Sequence, residues 1–532
     1  MKKMKGKTLL TVLAGAVTAS IAVTGCSSSP KTSSSPAPTA SAQTAATGKP
    51  ASDMPDTSKP LVLKGYTIAG SVPPLWEEVQ KEVNKILSQK INTTIEMTII
   101  PTGDAKTKLP MVNASGEQYD FMFVANWLAN YAPEVSKGAY EEITEEKLQK
   151  LMPRYSKAVD KANLEAMKVN GKLYSIPATT AAVNPTGIAI RKDLREKYGL
   201  GPIKSNADLE AYMQAVAKNE KGMIPYNLSK VEATTGLFDL FFTEYFGDFM
   251  LSAPGMVSIQ SAYEDETGKV YSQLDQKYNE AFKKTAVKMK ELYDKGYFPK
   301  NPFGNEIRSG ESQIQGKSAV ARLNLTDFAV NYVKAKGNNF ELEYYPLESA
   351  KGRVLKPVAG QGVAIKAGNK NLDRVLMALD YIYEEPAIVE MLEYGLEGKS
   401  FVVNAEGKID FPQGVNAANS PYSQGAVAFW FSDNAFKKPM ASWPQQKIDV
   451  EKEYATRAVS PVLNSLSLNV DKIKTEIASV RGIEDLEGNS LRVGMVDNVD
   501  TMMDTYLKKL KSAGYEKIVT EVKAQAEAFL KK

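Results

Sequence analysis

The only cysteine of this 532-residue chain is Cys26, and it stands directly behind a basic start and an apolar run. Lys2, Lys3, Lys5 and Lys7 form a charged segment, and Thr8 to Val23 form an apolar stretch shorter than the roughly 20 residues that comfortably span a bilayer. Val23, Thr24 and Gly25 then supply small residues before the cysteine, the layout of an export signal that is cut away. The consequence for folding is severe. The mature chain can form no internal disulfide, so a long exported body has to be held by buried apolar surface and hydrogen bonds.

The cleavage region resembles a bacterial lipobox, which implies that residues 1–25 are removed and that Cys26 carries lipid as the new N-terminus. Thr24 is a less usual residue at that place. Removal of the signal also changes the charge. It takes four lysines and no acids, so the 66 basic residues fall to the same 62 as the acidic ones. The basic balance of the precursor therefore gives no reason to expect nucleic acid or anionic surfaces as partners. Lysines such as Lys283, Lys284 and Lys288 are interleaved with glutamates, as on a solvated helix face.

The chain contains no histidine. With the cysteine committed to lipid, a Ser-His-Asp triad, a cysteine nucleophile, a His or Cys zinc site, and haem or iron–sulfur ligation are all excluded. Oxygen chemistry survives: a carboxylate pair for glycosides, a Ser–Lys nucleophile, or a calcium site. None has a recognisable spacing. The Gly-Lys-Ser strings at Gly316–Ser318 and Gly398–Ser400 fail as phosphate loops, because Glu311 and Glu393 stand where the first glycine belongs. No metal or cofactor is expected.

From Ser27 to Pro60 the chain is mostly Ser, Thr, Ala, Pro, Gly and Lys with Met54 as the one large apolar side chain, which cannot offset chain entropy. Residues 26–60 read as a tether with a reach on the order of 30 Å. The body from Leu61 is long for one core and implies two domains. It opens as βαβ. A strand over Leu61–Ile68 precedes a helix with Trp76, Val79, Val83, Ile86 and Leu87 at helical spacing, then a strand with Ile91, Thr93, Ile95, Met97 and Ile99 on one face. Asp120–Val124 reads as a buried strand, and Asn170-Gly171 as a tight hairpin turn. Ser205–Asp208 reads as a capping box for a helix bearing Leu209, Tyr212, Met213 and Val216. Two helices close the chain, one with Val499, Met502, Tyr506 and Leu510 on a stripe, the other with Ile518, Val522, Ala526 and Phe529, and Gly514 between them.

Several strings, in order, resemble the carbohydrate-type extracellular solute-binding lipoproteins of ABC importers, in particular their large LipO-like members. They are Tyr119–Phe123 with Trp127, Tyr131 and Lys137–Tyr140; Asn170–Pro177; Arg191–Leu194 with Lys197–Leu200; Gly316–Ala319; and Leu392–Lys399. The resemblance implies an α/β, two-lobed periplasmic-binding-protein-like fold of type II, with several interlobe crossings and a ligand cleft that closes by a hinge. Residues 61–181 with 316–380 are the expected N-terminal lobe, and 182–315 with 381–532 the C-terminal lobe.

A neutral sugar offers hydroxyls and flat CH-rich faces, which call for side-chain hydrogen bonds beside aromatic platforms, and 25 tyrosines supply ring and polar tip together. Asn126 and Trp127 follow the C-terminal end of a predicted strand, where open α/β sheets bind ligands, and are the leading candidates. The resemblance adds Asn324 after the second crossing. Trp430 and Trp443, in a polar-aromatic stretch, are candidates for closing over a sugar from the other side. Trp76 is a candidate whose helix stripe favours core packing instead. Arg191 and Arg322 are candidates for meeting an acidic sugar, although ion pairing is the commoner use of a single arginine. The reading is a monomeric, non-enzymatic, membrane-tethered receptor outside the cytoplasm. It captures an oligosaccharide for an ABC permease. The alternatives are a secreted glycoside hydrolase or lyase with paired carboxylates, and a binding protein for peptide or another solute.

Overall fold

The computed structural model describes residues 54–531 apart from 129, 181–183, 234–235, 249, 254–255, 263–264, 349–351, 353, 357–358, 418, 423, 428–433, 465 and 467. The export signal, Cys26, most of the tether, and Trp430 lie outside the described residues.

The opening βαβ forms as its periodicity predicts. Strand β1 (Leu61–Ala69) pairs in parallel with β2 (Thr93–Pro101) along its whole length, and β3 (Phe121–Ala125) lies on the other side of β1. Between β1 and β2 the helix Trp76–Ile91 buries Trp76, Val79, Val83 and Leu87 against the sheet. Ile91 ends this helix rather than opening β2, because Asn92 takes the left-handed conformation at its C-terminus. Every residue of β3 is buried, as expected for a central parallel strand. Asp120 fixes its start: the carboxylate accepts from the Lys64 backbone N–H at 2.7 Å and from the Asn371 amide at 2.9 Å.

Two further strands complete this sheet from distant sequence. β4 (Ile176–Pro177) follows the hairpin in which Asn170 and Gly171 both take positive φ, 52° and 78°, as the Asn-Gly turn requires. The chain then crosses to a second sheet. There β5 (Thr186–Arg191), β6 (Ile224–Tyr226), β7 (Ser318–Asn324) and β8 (Leu342–Pro346) pair in the order β8-β5-β7-β6. After β8 it returns, and β9 (Gln361–Ile365) inserts between β3 and β4 to give the order β2-β1-β3-β9-β4.

Each strand that enters directly from the other sheet, β5 and β9, runs antiparallel to its neighbours. Both carry glycine at their second residue for want of space. A Cβ on Gly187 would lie 2.5 Å from the Tyr344 ring, and one on Gly362 would collide with the Ile176 carbonyl oxygen.

This pairing moves two of the expected lobe boundaries. Residues 318–346 belong to the second sheet, since β7 pairs with β5 and β6 and β8 pairs with β5, rather than to the first lobe. The helices Leu372–Glu384 and Pro386–Tyr394, with Tyr422 and Val427, pack into the core of the first sheet, so these parts of the segment from residue 381 onward join the first core rather than the second. A third crossing precedes the helix Gln445–Arg457. Here the Gln446 amide accepts from the Tyr344 N–H at 3.1 Å and donates to the Tyr344 carbonyl at 2.7 Å, pairing with the edge strand β8 as a neighbouring strand would.

The second core draws on distant segments too. The helix Asn206–Asn219 buries Leu209, Tyr212, Met213 and Val216, and Ser205 caps it by accepting from the Asp208 N–H at 3.2 Å. The last two helices, Val499–Ser512 and Tyr515–Leu530, break at Gly514 (φ 84°). On the first of them Met503, rather than Met502, is fully buried.

The first two crossings are tied together by one buried side chain. Asn163 donates through Nδ2 to the carbonyls of Ala178 (3.0 Å) and Thr179 (3.2 Å) and accepts through Oδ1 from the Ala359 N–H at 2.9 Å. Asp160 and Lys356 add an ion pair at 2.7 Å.

Candidate functional site

In both sheets the C-terminal ends of the parallel strands lie at the end where the chain crosses over. Gln361, the first residue of β9, stands opposite Ala125, the last of β3; Thr186, the first of β5, stands opposite Asn324, the last of β7. Loops that leave these ends are where open α/β sheets bind ligands. On the first sheet they are Gly70–Val72 and Asn126–Leu128; on the second they are the segments after Tyr226 and after Asn324.

The turn after β3 is built to hold one ring in the open. Asn130 is fully buried and substitutes for a strand neighbour: its Oδ1 accepts from the Ala125 N–H at 3.0 Å and its Nδ2 donates to the Phe123 carbonyl at 3.2 Å. Tyr140 donates its hydroxyl to the Asn130 carbonyl at 3.1 Å, and the Asn126 N–H donates to the Gly360 carbonyl at 2.8 Å. The intervening Asn126–Leu128 forms a 3-10 turn in which Leu128 is buried while Trp127 remains 51% exposed. The indole leans on Phe123 at a ring separation of 6.4 Å and donates through Nε1 to Gln361 Oε1 at 3.3 Å. Asn126 is exposed beside it. Asn130 and Tyr131, which in the sequence look like parts of a polar loop, are both buried and serve as framework.

Asn126 and Trp127 are thus brought together, and Gln361 joins them. Sequence reasoning missed Gln361, because only the return of β9 beside β3 places it there and no local motif marks that pairing.

The other candidates are used elsewhere. Trp76 is 5% exposed in the core of the first sheet, where the helix stripe put it. Asn324 stands at the crossover end of β7 but is occupied as a helix cap. Its Oδ1 accepts from the Asp327 N–H and its Nδ2 donates to the Asp327 carboxylate, both at 2.8 Å. Arg191 makes a two-pronged pair with Asp193 at 2.7 and 2.6 Å and covers the Phe340 ring at 3.9 Å, a structural use of the guanidinium. Trp443 packs half-buried against a small cluster of Tyr394, Phe401, Ile409 and Met440, and the Lys447 ammonium sits 3.6 Å from its ring centre, so one face is already covered.

Arg322 is mostly buried on β7 and reaches the Asp239 carboxylate at 3.5 Å. Desolvation pushes the Asp239 carboxyl above its ordinary value, and the positive charges of Arg322 and Arg492 only partly counter it. Among the described residues no group of three or more carboxylates is placed to hold a metal ion.

A family model described as bacterial extracellular solute-binding protein matches residues 69–388, more than half of the chain. A second model, for a domain of unknown function, matches residues 465–531. A carbohydrate ABC transporter substrate-binding protein of Streptococcus pneumoniae is 25% identical over 482 residues, 90% of this chain and 92% of the relative. The crystal structure of the N-glycan transport solute binding protein NgtS from Streptococcus pneumoniae superposes with a TM-score of 0.72 at 23% identity, covering 88% of this chain and 99% of that one. The same protein has been solved with Man1GlcNAc and with Man5GlcNAc. An HMO-binding solute-binding protein from Bifidobacterium longum infantis superposes with a TM-score of 0.66 at 14% identity, over 88% of this chain and 99% of its own. The two-lobed α/β fold is common to these structures and to this chain.

Proposed function

Because this chain belongs to the bacterial extracellular solute-binding protein family, we propose that it is a lipid-anchored monomer that captures an oligosaccharide outside the cytoplasmic membrane and hands it, unchanged, to an ABC permease. The observation that carries the carbohydrate reading is the half-exposed Trp127 ring, locked by a buried framework at the crossover end of the first sheet with Asn126 and Gln361 beside it. A flat apolar face flanked by amides matches a pyranose, which presents C–H groups on its face and hydroxyls around its edge. The glycans bound by the structurally similar NgtS support the same ligand class.

Closing two lobes on the ligand would desolvate those hydrogen bonds and strengthen them. Asn163, which ties the first two crossings, keeps the pivot of such a motion fixed. The anchor reading rests on the sequence around Cys26, and replacing Cys26 with serine should release the protein from membranes.

The deciding experiment is calorimetric titration of the purified protein with oligosaccharides, monosaccharides and peptides, followed by mass analysis of the recovered ligand. A glycan that binds and is recovered intact supports the receptor. Cleaved glycan would replace it with a glycosidase. Response to peptides alone would keep a receptor and remove the carbohydrate.

A further inference from the structure

Large apolar side chains that are exposed yet rigidly held call for a reason, and two of them stand at the crossover end of the second sheet. Val231 is 54% exposed and Ile307 is 41% exposed. They lie on separate loops. Val231 follows β6, which ends at the crossover end because it runs parallel to β7. Ile307 precedes the short helix Ser309–Ile314 that leads into β7.

The two loops are stitched to each other along their length. The Lys230 N–H donates to the Asn305 carbonyl at 2.9 Å, and the Asn305 amide donates to Asn227 Oδ1 at 3.1 Å and to the Leu228 carbonyl at 3.0 Å. Asn227 Nδ2 reaches the Ile307 carbonyl at 3.4 Å. Beneath them the Glu232 carboxylate gathers both loops. It accepts from the Ser229 N–H (3.1 Å) and hydroxyl (2.7 Å), from the Ser309 N–H (3.0 Å), and from the Ser309 hydroxyl. A network satisfied to this degree fixes the position of what it carries. What it carries outward includes two aliphatic side chains, flanked by the exposed Lys230 and Glu306.

We propose that Val231 and Ile307 form the second-lobe wall of the ligand cleft, contacting the C–H face of a sugar ring whose neighbouring surface rests on Trp127. This deepens the carbohydrate reading above and rests on it. The occupant is a neutral oligosaccharide segment, because Val231 and Ile307 offer dispersion contact, the flanking Lys230 and Glu306 pair with each other at 3.7 Å, and the Glu232 carboxylate below is already consumed by four donors. The pairing of an aromatic ring on one lobe with aliphatic side chains on the other also makes ligand contact complete only when both lobes engage.

The test is calorimetric titration of a mannose–N-acetylglucosamine glycan into the full chain and into Val231→Ser, Ile307→Ser and the double variant, with Val62→Ser as control. Val62 is 47% exposed near the start of β1, at the opposite end of the first sheet. Loss of roughly half of the two exposed aliphatic surfaces predicts about a tenfold rise in Kd for the double variant. The control should leave Kd unchanged, and any modest fall in melting temperature should be similar in the control and in the single variants, because about half of each replaced side chain is exposed. Wild-type affinity in the double variant, with binding still lost in Trp127→Ala, would overturn the wall while leaving the receptor standing. Absence of glycan binding by the unaltered chain would overturn both.

Discussion

Replacing Trp127 with alanine should lower glycan affinity while leaving the fold nearly as stable. A tryptophan presents on the order of 250 Å² of side-chain surface. With 51% of it exposed, about 125 Å² remains to be covered by a ligand, an upper limit of about 3 kcal/mol at 25 cal/mol per Å². A sugar ring covers one face, so about half of that, ~1.5 kcal/mol, is the working figure, and every 1.4 kcal/mol is tenfold. Trp127→Ala should therefore raise Kd for a bound glycan between about 10-fold and about 150-fold, whereas Trp127→Phe, which keeps a ring, should lose less. Calorimetry measures the affinity and a urea melt measures the fold. The melt should move little, because the turn is held by Asn130, Leu128 and the Asn126 N–H rather than by the indole. A change in Kd of less than about threefold in Trp127→Ala, with glycan binding intact, would refute the assignment of this ring as the platform.

Four other outcomes follow from the same geometry. Trp76→Ala should cost about 3 to 5 kcal/mol in a urea melt, as for a large aromatic lost from a core, and act on glycan affinity only through the fold. Asn130→Ala removes the acceptor of the Ala125 N–H and one donor to the Phe123 carbonyl, so it should cost about 2 to 4 kcal/mol and also weaken binding, since the turn bearing Trp127 loses its anchor. Asn163→Ala should destabilise by a similar amount and change the compaction on ligand addition measured by small-angle scattering; unaltered compaction would remove Asn163 from the pivot. Glu343 gives a pH signature. Desolvation pushes its carboxyl up, but the Arg195 fork at 2.8 and 2.6 Å and the Tyr345 hydroxyl at 2.7 Å outweigh it and hold the value below 4.5. A depressed carboxylate contributes stability that is present above its unfolded value and lost as pH falls through its folded one. The fall in melting temperature from about pH 6 to about pH 3 should accordingly be shallower in Glu343→Gln than in the unaltered chain.

What was legible in the sequence was whatever local periodicity or turn chemistry controls. The βαβ opening, the Asn170-Gly171 hairpin, the Ser205 cap, the break at Gly514 and the exposed turn after β3 were all written within a dozen residues of where they act. Lobe membership was not. Residues 318–346 read as ordinary strand and helix in either lobe, and only their pairing with β5 and β6 decides. The same limit explains the site. Trp127 was findable because a strand end marks it, while Gln361 reaches it from the far side of two crossings. Asn324 carried an ambiguous signal, since asparagine at a strand's end is equally suited to a ligand and to a helix N-terminus, and in the structure its side chain caps the helix through Asp327.

The insertion of β9 between β3 and β4 sets the order in which this molecule can assemble. An exported chain emerges amino end first, so β1 to β4 appear early, yet β3 and β4 each keep a bare edge until Gln361–Ile365 arrives. The ladder of β5 to β8 is complete by Pro346. The sheet encoded later is therefore the first that can finish its hydrogen bonding, and the one encoded first waits for a strand delivered from beyond it. During that interval two unpaired edges are open to pairing with another chain. Chains arrested between Pro346 and Gln361 should be the most prone to aggregate or to be cleaved, and those extended past Ile365 should be markedly less so.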